Sequence, residues 1–266
     1  MPRQLPSMPI GRSEVGQILA MTNNASWGVR RLLQAIESRD LRAVHDALAL
    51  DVTWQNVPHN PAIGRDAVVA MLAPILTWSD EVRWDVVTAN YTDSTGWVER
   101  IDRFWIGGVE HAVRCNGVFD VDPECGDVVS VRDYSDLEEW RRRIGPAYER
   151  LAHRDAIDVV RRHLGAVTRR DPVAMAADYH LSATLRRGST VIKGWTEIAD
   201  YFDGVPARLS GSAFAVEALT EPRPGHVVSE WTIKQPDGAI VRGHDAFTVQ
   251  SGRIVDQQVQ LDRNDF

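Results

Sequence analysis

The chain has 266 residues, 44% of them hydrophobic and 25% charged, with a formal net charge of −7. That length allows one large domain or two of ordinary size, and the acidic balance argues against nucleic acid or an anionic membrane surface as the main partner. Two cysteines, Cys115 and Cys125, are too few for a disulfide framework or a thiolate metal site; no apolar run is long enough for a signal peptide or a bilayer span, so the expected location is the cytoplasm.

Residues 1–25 are rich in Pro, Ser and Gly and read as a flexible arm. Next, "WGVRRLLQAIESRDLRAVHDALALDVTWQN" predicts a helix with Val29, Leu32, Leu33 and Ile36 on one face. An Arg-Asp turn and a second helix follow, and then the approach to a strand. "AIGRDAVVAMLAPIL" is a Gly followed by a short amphipathic helix. In "WVERIDRFW" the period of two puts Val98, Arg100, Asp102 and Phe104 on one face of a strand. "VRCNGVFDVDPECGDVVSVRDYSD" reads as two apolar strands around a polar hairpin turn, with Val129, Val131 and Asp133 sharing a face. Gly145-Pro146 breaks the terminal helix of this first unit.

The layout then repeats. "DVVRRHLGAVTRRDPVAMAADYHLSATLRR" carries Val159, His163 and Val167, a turn at Arg170-Asp171, and Pro172 opening the next helix. "VIKGWTEIADYF" matches the earlier Gly-helix segment, and "VRGHDAFTVQSGRIVDQQVQLD" the earlier strand pair. The chain therefore holds a duplicated unit of roughly 120 residues, expected over residues 26–145 and 152–266. Each unit runs from helices into strands, an α+β order. The expected architecture is a tandem of cone-shaped folds, each a curved antiparallel sheet packed against helices, with an apolar mouth suited to small molecules.

Arg100, Asp102 and Asp133 are charged residues on apolar strand faces. Buried carboxylates are costly unless paired, so the arginine between them serves as a shared counter-charge. Two carboxyl groups in unequal surroundings can hold different protonation states, one acid and one base, as a coupled pair. A base that deprotonates water, opposite an acid that protonates a strained ether oxygen, opens an epoxide to a diol without cofactor or metal. Asn56, at a strand end before a Pro-rich loop, can hold a water beside Asp133. The structural alternatives are a buried ion network and a turn-capping Asn. Trp54, Trp84, Trp97 and Trp105 are expected in the core or the cavity wall. His59 and His111 are expected to be solvated, and their spacing suggests no metal site.

The helix-then-strand layout resembles the NTF2-like superfamily. "WQNVPHNPAIGRDAV", "ERIDRF" and "VRDYSDL", in this order and spacing, resemble the limonene-1,2-epoxide hydrolase family. That resemblance implies an NTF2-like cone with Asp133 as general base, Asp102 as general acid, Arg100 as their bridge and Asn56 as a water ligand. It also implies Trp54, Val98 and Phe104 around a small apolar epoxide, water as the co-substrate, and no cofactor. One position departs: the family has a tyrosine where Trp54 stands, and an indole donates but does not accept.

The second unit resembles SnoaL-like NTF2 domains. An ungapped alignment through Phe119 and Phe247 puts Asp102 opposite Glu230 and Arg100 opposite Val228. The last strands put Asp133 opposite Val259, and Asn56 falls near Arg186 or Arg187. Tyr179, His180, Glu230, His244 and Asp245 are its candidate pocket groups, either structural or active in cyclase or isomerase chemistry on a polyketide- or steroid-like substrate. The whole chain then reads as an epoxide hydrolase, a cyclase or isomerase, or a non-catalytic ligand binder. The second unit can replace a partner subunit as an intrachain pseudo-dimer, or the chain can form a homodimer.

Overall fold

The computed structural model of the protein describes residues 25–262. The expected N-terminal arm lies, but for Ala25, outside the described residues. The first unit begins with α1 (Ala25–Glu37) and α2 (Leu41–Asp46). Val29, Leu32, Leu33 and Ile36 of α1 are all buried, as their 3.6-residue spacing requires. Arg39, at φ 57°, closes α1 in the left-handed region. The Asp40 side chain then caps α2 by accepting from the backbone N–H of Arg42 and Ala43.

Strands β1 (Leu48–Asn56) and β2 (Ala62–Ile63) lead into α3 (Arg65–Trp78), with Gly64 at φ +88° as the hinge between them. Strands β3 (Glu81–Tyr91), β4 (Thr95–Ile106), β5 (Val109–Val121) and β6 (Val128–Ser135) complete the sheet, in the order β2-β1-β6-β5-β4-β3. Helices α4 (Leu137–Arg143) and α5 (Gly145–Ala152) follow, and Gly145-Pro146 separates them.

The second unit repeats this plan with α6 (Ala156–Arg169), α7 (Pro172–Ala177), β7 (Tyr179–Arg187), β8 (Thr190–Lys193), α8 (Trp195–Asp203), α9 (Val205–Arg208), β9 (Ala213–Arg223), β10 (His226–Lys234), β11 (Ile240–Gln250) and β12 (Arg253–Leu261). Its sheet order, β8-β7-β12-β11-β10-β9, copies the first. Local chemistry repeats too. Arg170, at φ 59°, closes α6, and Asp171 caps α7 by accepting from Ala174 N–H. Arg39 donates to the carbonyl of Ser79 and Arg170 to that of Ser212, both at 2.7 Å. The fold is thus α+β, a tandem of two like units, each a six-stranded sheet packed against helices. One detail differs from the expected all-antiparallel sheets: β1–β6 and β7–β12 are parallel pairs, so both sheets are mixed. The helices between β1 and β6 and between β7 and β12 are not what crosses over; the strand meander β3–β5 and its counterpart bring the last strand back beside the first. Among the described residues no helix is long and apolar enough to cross a membrane.

One hydrophobic cluster runs through both units. At their junction the Arg253 guanidinium lies 4.1 Å from the centre of the Trp78 ring. It donates to Thr77 Oγ1 at 3.1 Å, and to the carbonyls of Ala177 and Tyr179 at 3.3 Å. Buried Asp178 accepts from Arg154 and Arg162 beside it. Removing a buried cation strands the acceptors built around it. Arg253→Met is therefore expected to lower stability by about 3 kcal/mol in urea unfolding. Arg186→Met, at a surface ion pair with Asp256, is expected to cost no more than about 1 kcal/mol.

Candidate active site

Four strands build the first site. On β4 the burial alternates, and Val98, Arg100, Asp102 and Phe104 all point inward. Strand β6 contributes Asp133, and the neighbouring parallel strand β1 contributes Trp54 and Asn56, with Asn56 opposite Asp133 in register. Strand β5 lies between β4 and β6 and supplies Gly117, opposite both Val98 and Asp133.

Arg100 is fully buried, with Asp102 and Asp133 only 6% and 4% exposed. Its Nε donates to Asp102 Oδ1 at 2.7 Å, and one terminal nitrogen donates to Asp102 Oδ2 at 3.3 Å and Asp133 Oδ2 at 2.9 Å. The guanidinium lies 4.2 Å from the Trp84 ring centre, within cation–π range. Burial opposes its charge, but Asp102 and Asp133 outweigh that and hold Arg100 above its usual value. Burial drives the Asp102 carboxyl up to about 6, against the pull of Arg100 and with the help of the Asp133 charge. The two acids therefore stand in unequal surroundings around one cation.

Trp54 is buried, and its indole N–H donates to Asp133 Oδ2 at 3.1 Å. That oxygen thus takes both donors, while Asp133 Oδ1 has no hydrogen-bond partner. The departure at Trp54 is a contact to the acid itself. Asn56 lies on the wall of the same cavity, its amide N–H meeting only the weak acceptor Met71 Sδ at 3.8 Å.

The cavity above these residues has a volume of about 400 Å³. Asp102 and Asp133 lie at its polar end, and Trp84, Phe104, Leu72, Ile75, Trp140 and Tyr148 make much of its apolar wall. Trp54 and Phe104 line it as expected. Val98 does not: it is sealed in the hydrophobic core, four residues before Asp102 on β4.

Several features escape the strand pattern. Tyr148 and Trp140 reach the cavity from α4 and α5, their rings stacked at 6.1 Å. His59 is exposed, as expected, and also lines the cavity, where its ring meets Arg141 at 3.1 Å. Trp97, expected in the core or wall, is 53% exposed on the outer sheet face; the period of two that buries Val98 puts it there. Gly117 has a readable signal, a glycine inside an apolar strand. A Cβ there would come within 2.3 Å of Arg100 Nη1 and 2.8 Å of Asp133 Oδ1.

In the second unit the sheet register corrects the ungapped alignment. With Phe119 matched to Phe247, Arg100 corresponds to Trp231 and Asp102 to Ile233. The β10–β11 hairpin is three residues shorter than β4–β5, an odd number, and so reverses the faces. Glu230 and His244 consequently lie on the outer face and are exposed. His180 is also exposed, bonded to Ser182 Oγ. Tyr179 is buried behind the cavity, not on its wall, and donates to Gln257 Oε1. Of the five expected pocket groups, Asp245 alone lines the second cavity. Asp133 corresponds to Val259 and Asn56 to Arg187, so the second unit lacks the three-residue network.

Comparison with known proteins places this geometry. Residues 23–143 match the model described as the limonene-1,2-epoxide hydrolase catalytic domain. That match covers the whole of the three-residue network and its cavity wall up to α4. Residues 160–257 match the SnoaL-like domain model. Among solved structures, an epoxide hydrolase from M. tuberculosis that is like the limonene-1,2-epoxide enzymes is 24% identical, over 44% of this chain and 86% of that one, with a TM-score of 0.38. An NTF2-like protein from Burkholderia pseudomallei is 25% identical over 46% and 97%, with a TM-score of 0.40. A SnoaL-like protein from Shewanella denitrificans is 11% identical over 46% and 97%, with a TM-score of 0.41.

In the limonene-epoxide-hydrolase domain the bare backbone at Gly117 is what lets the guanidinium and carboxylate meet. Gly117→Ala is expected to lower stability by about 1–3 kcal/mol in urea unfolding through overpacking. Its Trp54 and Trp84 indole N–H resonances should also shift as Arg100 is displaced, while those of the second domain stay in place.

Proposed function

We propose that the first domain is a cofactor-independent epoxide hydrolase that opens a small or medium apolar epoxide to a diol. The observation that carries this reading is Arg100 shared between two buried carboxyl groups, one raised to about 6, at the polar end of an apolar cavity. Asp133 acts as the base. It takes a proton from a water that Asn56 holds, and the water oxygen attacks an epoxide carbon. The carbon–oxygen bond breaks as Asp102 gives its proton to the departing oxygen. A diol results, and the site resets when Asp133 loses that proton and Asp102 regains one. Arg100 holds both acids in place throughout, and the Trp54 N–H anchors Asp133 through its Oδ2.

The test is turnover of an epoxide panel in heavy-oxygen water, with labelled diol as the product. Asp133→Asn and Asp102→Asn are each expected to lower kcat at least ~10²-fold, with unfolding unchanged enough to keep both variants folded. Unlabelled product, or full rate in the Asp133 variant, overturns the mechanism.

The pH profile follows from Asp102. A general acid must carry its proton, so the rate is expected to fall as pH rises through about 6. In Asp102→Asn that limb should vanish along with most of the rate.

A second reading rests on Asp245 in the SnoaL-like domain, whose carboxyl burial drives up to about 7. Such a group suits proton transfer in a cyclase or isomerase. It calls for deuterium exchange next to a carbonyl, with no water oxygen in the product.

A further inference from the structure

The first cavity carries charge at both ends. Asp102 and Asp133 stand at its buried end, with Arg100 already shared between them. At the open end stand Arg141 and His59, which line the cavity and are also exposed. The wall between is largely apolar, with Leu72, Ile75 and Trp140 among its members. Of the described residues that line this cavity, Arg141 alone is a permanent cation.

Local structure holds Arg141 across the opening. Its guanidinium reaches from α4 and donates to His59 Nε2 at 3.1 Å; a guanidinium only donates, so the ring nitrogen accepts and the ring is neutral. His59 is fixed in turn, for its N–H donates to the Asn56 carbonyl at 2.8 Å and its own carbonyl accepts from Gln55 Nε2 at 2.9 Å. In the same turn the Val57 N–H donates to the Asp133 carbonyl at 2.9 Å. The rim is therefore tied to the strand that carries the base. The carboxylate paired with Arg141, that of Glu138, is 3.8 Å away, and both side chains are more than half exposed. An exposed pair of that kind is weak, and a neutral ring cancels no charge. The guanidinium keeps most of its charge, and it has more N–H groups than these two partners use.

A cation at the rim and acids at the floor give a singly charged ligand one orientation. A carboxylate at the buried end would lie against Asp102 and Asp133 and be repelled. At the open end it meets a planar fork that matches its two oxygens. We propose that the first cavity takes an epoxide bearing a carboxylate at the far end of its apolar part, held at the rim by Arg141. This rests on the hydrolase reading and names its substrate class. The carboxylate accepts from Arg141 in place of His59 Nε2, the hydrocarbon lies along the apolar wall, and the epoxide is delivered to the two acids.

The test uses the full chain and the terminal epoxides of alkenoic acids from heptenoic to undecenoic, each as free acid and as methyl ester. At the best-fitting length kcat/KM for the acid is expected to exceed that for the ester at least ~10-fold. Added salt should erode the advantage. Arg141→Met should abolish it, and Arg141→Lys, which keeps the charge without the fork, should retain part of it. Arg143→Met, on the same helix, should leave it intact. A second arm needs no turnover: the saturated acids and their methyl esters are titrated into the nitrogen-15-labelled chain. The Trp140 indole resonance, identified by its loss in Trp140→Phe, is expected to move saturably with the acid and ~10-fold more weakly with the ester. In Arg141→Met that difference should vanish while the other indole resonances hold their positions, which reports a folded variant. If no epoxide is opened but the acid still binds through Arg141, the hydrolase reading fails and the rim site stands. The proposal is overturned if acid and ester bind equally, or if the preference survives Arg141→Met.

Discussion

A single guanidinium, buried to 0% exposure, carries the charge balance of two buried carboxyl groups. Without it, Asp102 and Asp133 would be two like charges in an apolar cone, and both would be forced toward the neutral form. With it, one cation serves two acids. That ratio leaves a net charge of about one unit to settle between them, and burial settles part of it by raising Asp102. Much of the first domain is arranged around this shortage of positive charge. Trp84 covers the guanidinium, Phe119 lies 5.7 Å from it, and Gly117 leaves the backbone open beneath it. A low-dielectric shell strengthens each of these contacts and also makes the loss of any one expensive.

The same shell explains how Trp54 fits. A side chain that donates and accepts can sit between a water and an acid. An indole can only donate, and here it donates to the carboxylate oxygen that Arg100 also holds. Two donors on Asp133 Oδ2 fix the plane of that carboxyl group. Positioning of the acid is therefore built into the protein, whereas the Asn56 amide on the neighbouring strand meets the thioether of Met71.

Much of this was legible in the sequence, for a physical reason. A strand with one buried face has a period of two, so Val98 and Phe104 fix the direction of Arg100 and Asp102 between them. The Arg-Asp turns were legible as well, because a left-handed residue followed by a capping aspartate is a local device. Long-range features were not. Tyr148 and Trp140 reach the cavity from helices beyond the last strand, and nothing in their own periodicity says what they face. The second cone failed for a sharper reason. Its hairpin is three residues shorter, and an odd change in a period-two element exchanges inside and outside. Glu230 and His244 thus look like pocket residues in an ungapped alignment, while Trp231 and Asp245 are the ones that point inward.

The two units also depend on each other through stacked rings. Arg253 of the second domain lies over Trp78 of the first, and Trp78 stacks on Tyr148 at 6.3 Å, which stacks on Trp140 at 6.1 Å. Tyr148 and Trp140 are part of the first cavity's wall. The Tyr148 hydroxyl is pinned at 3.2 Å to Ser79 Oγ, next to Trp78 in sequence. Aromatic pairs of this kind hold ring positions more firmly than burial alone. The wall opposite the acids is thus built on a tryptophan whose other side is covered by the second domain. Cutting the chain after α5 would uncover Trp78 and leave that wall without its backing, so the second domain shapes the first cavity whatever chemistry its own cone performs.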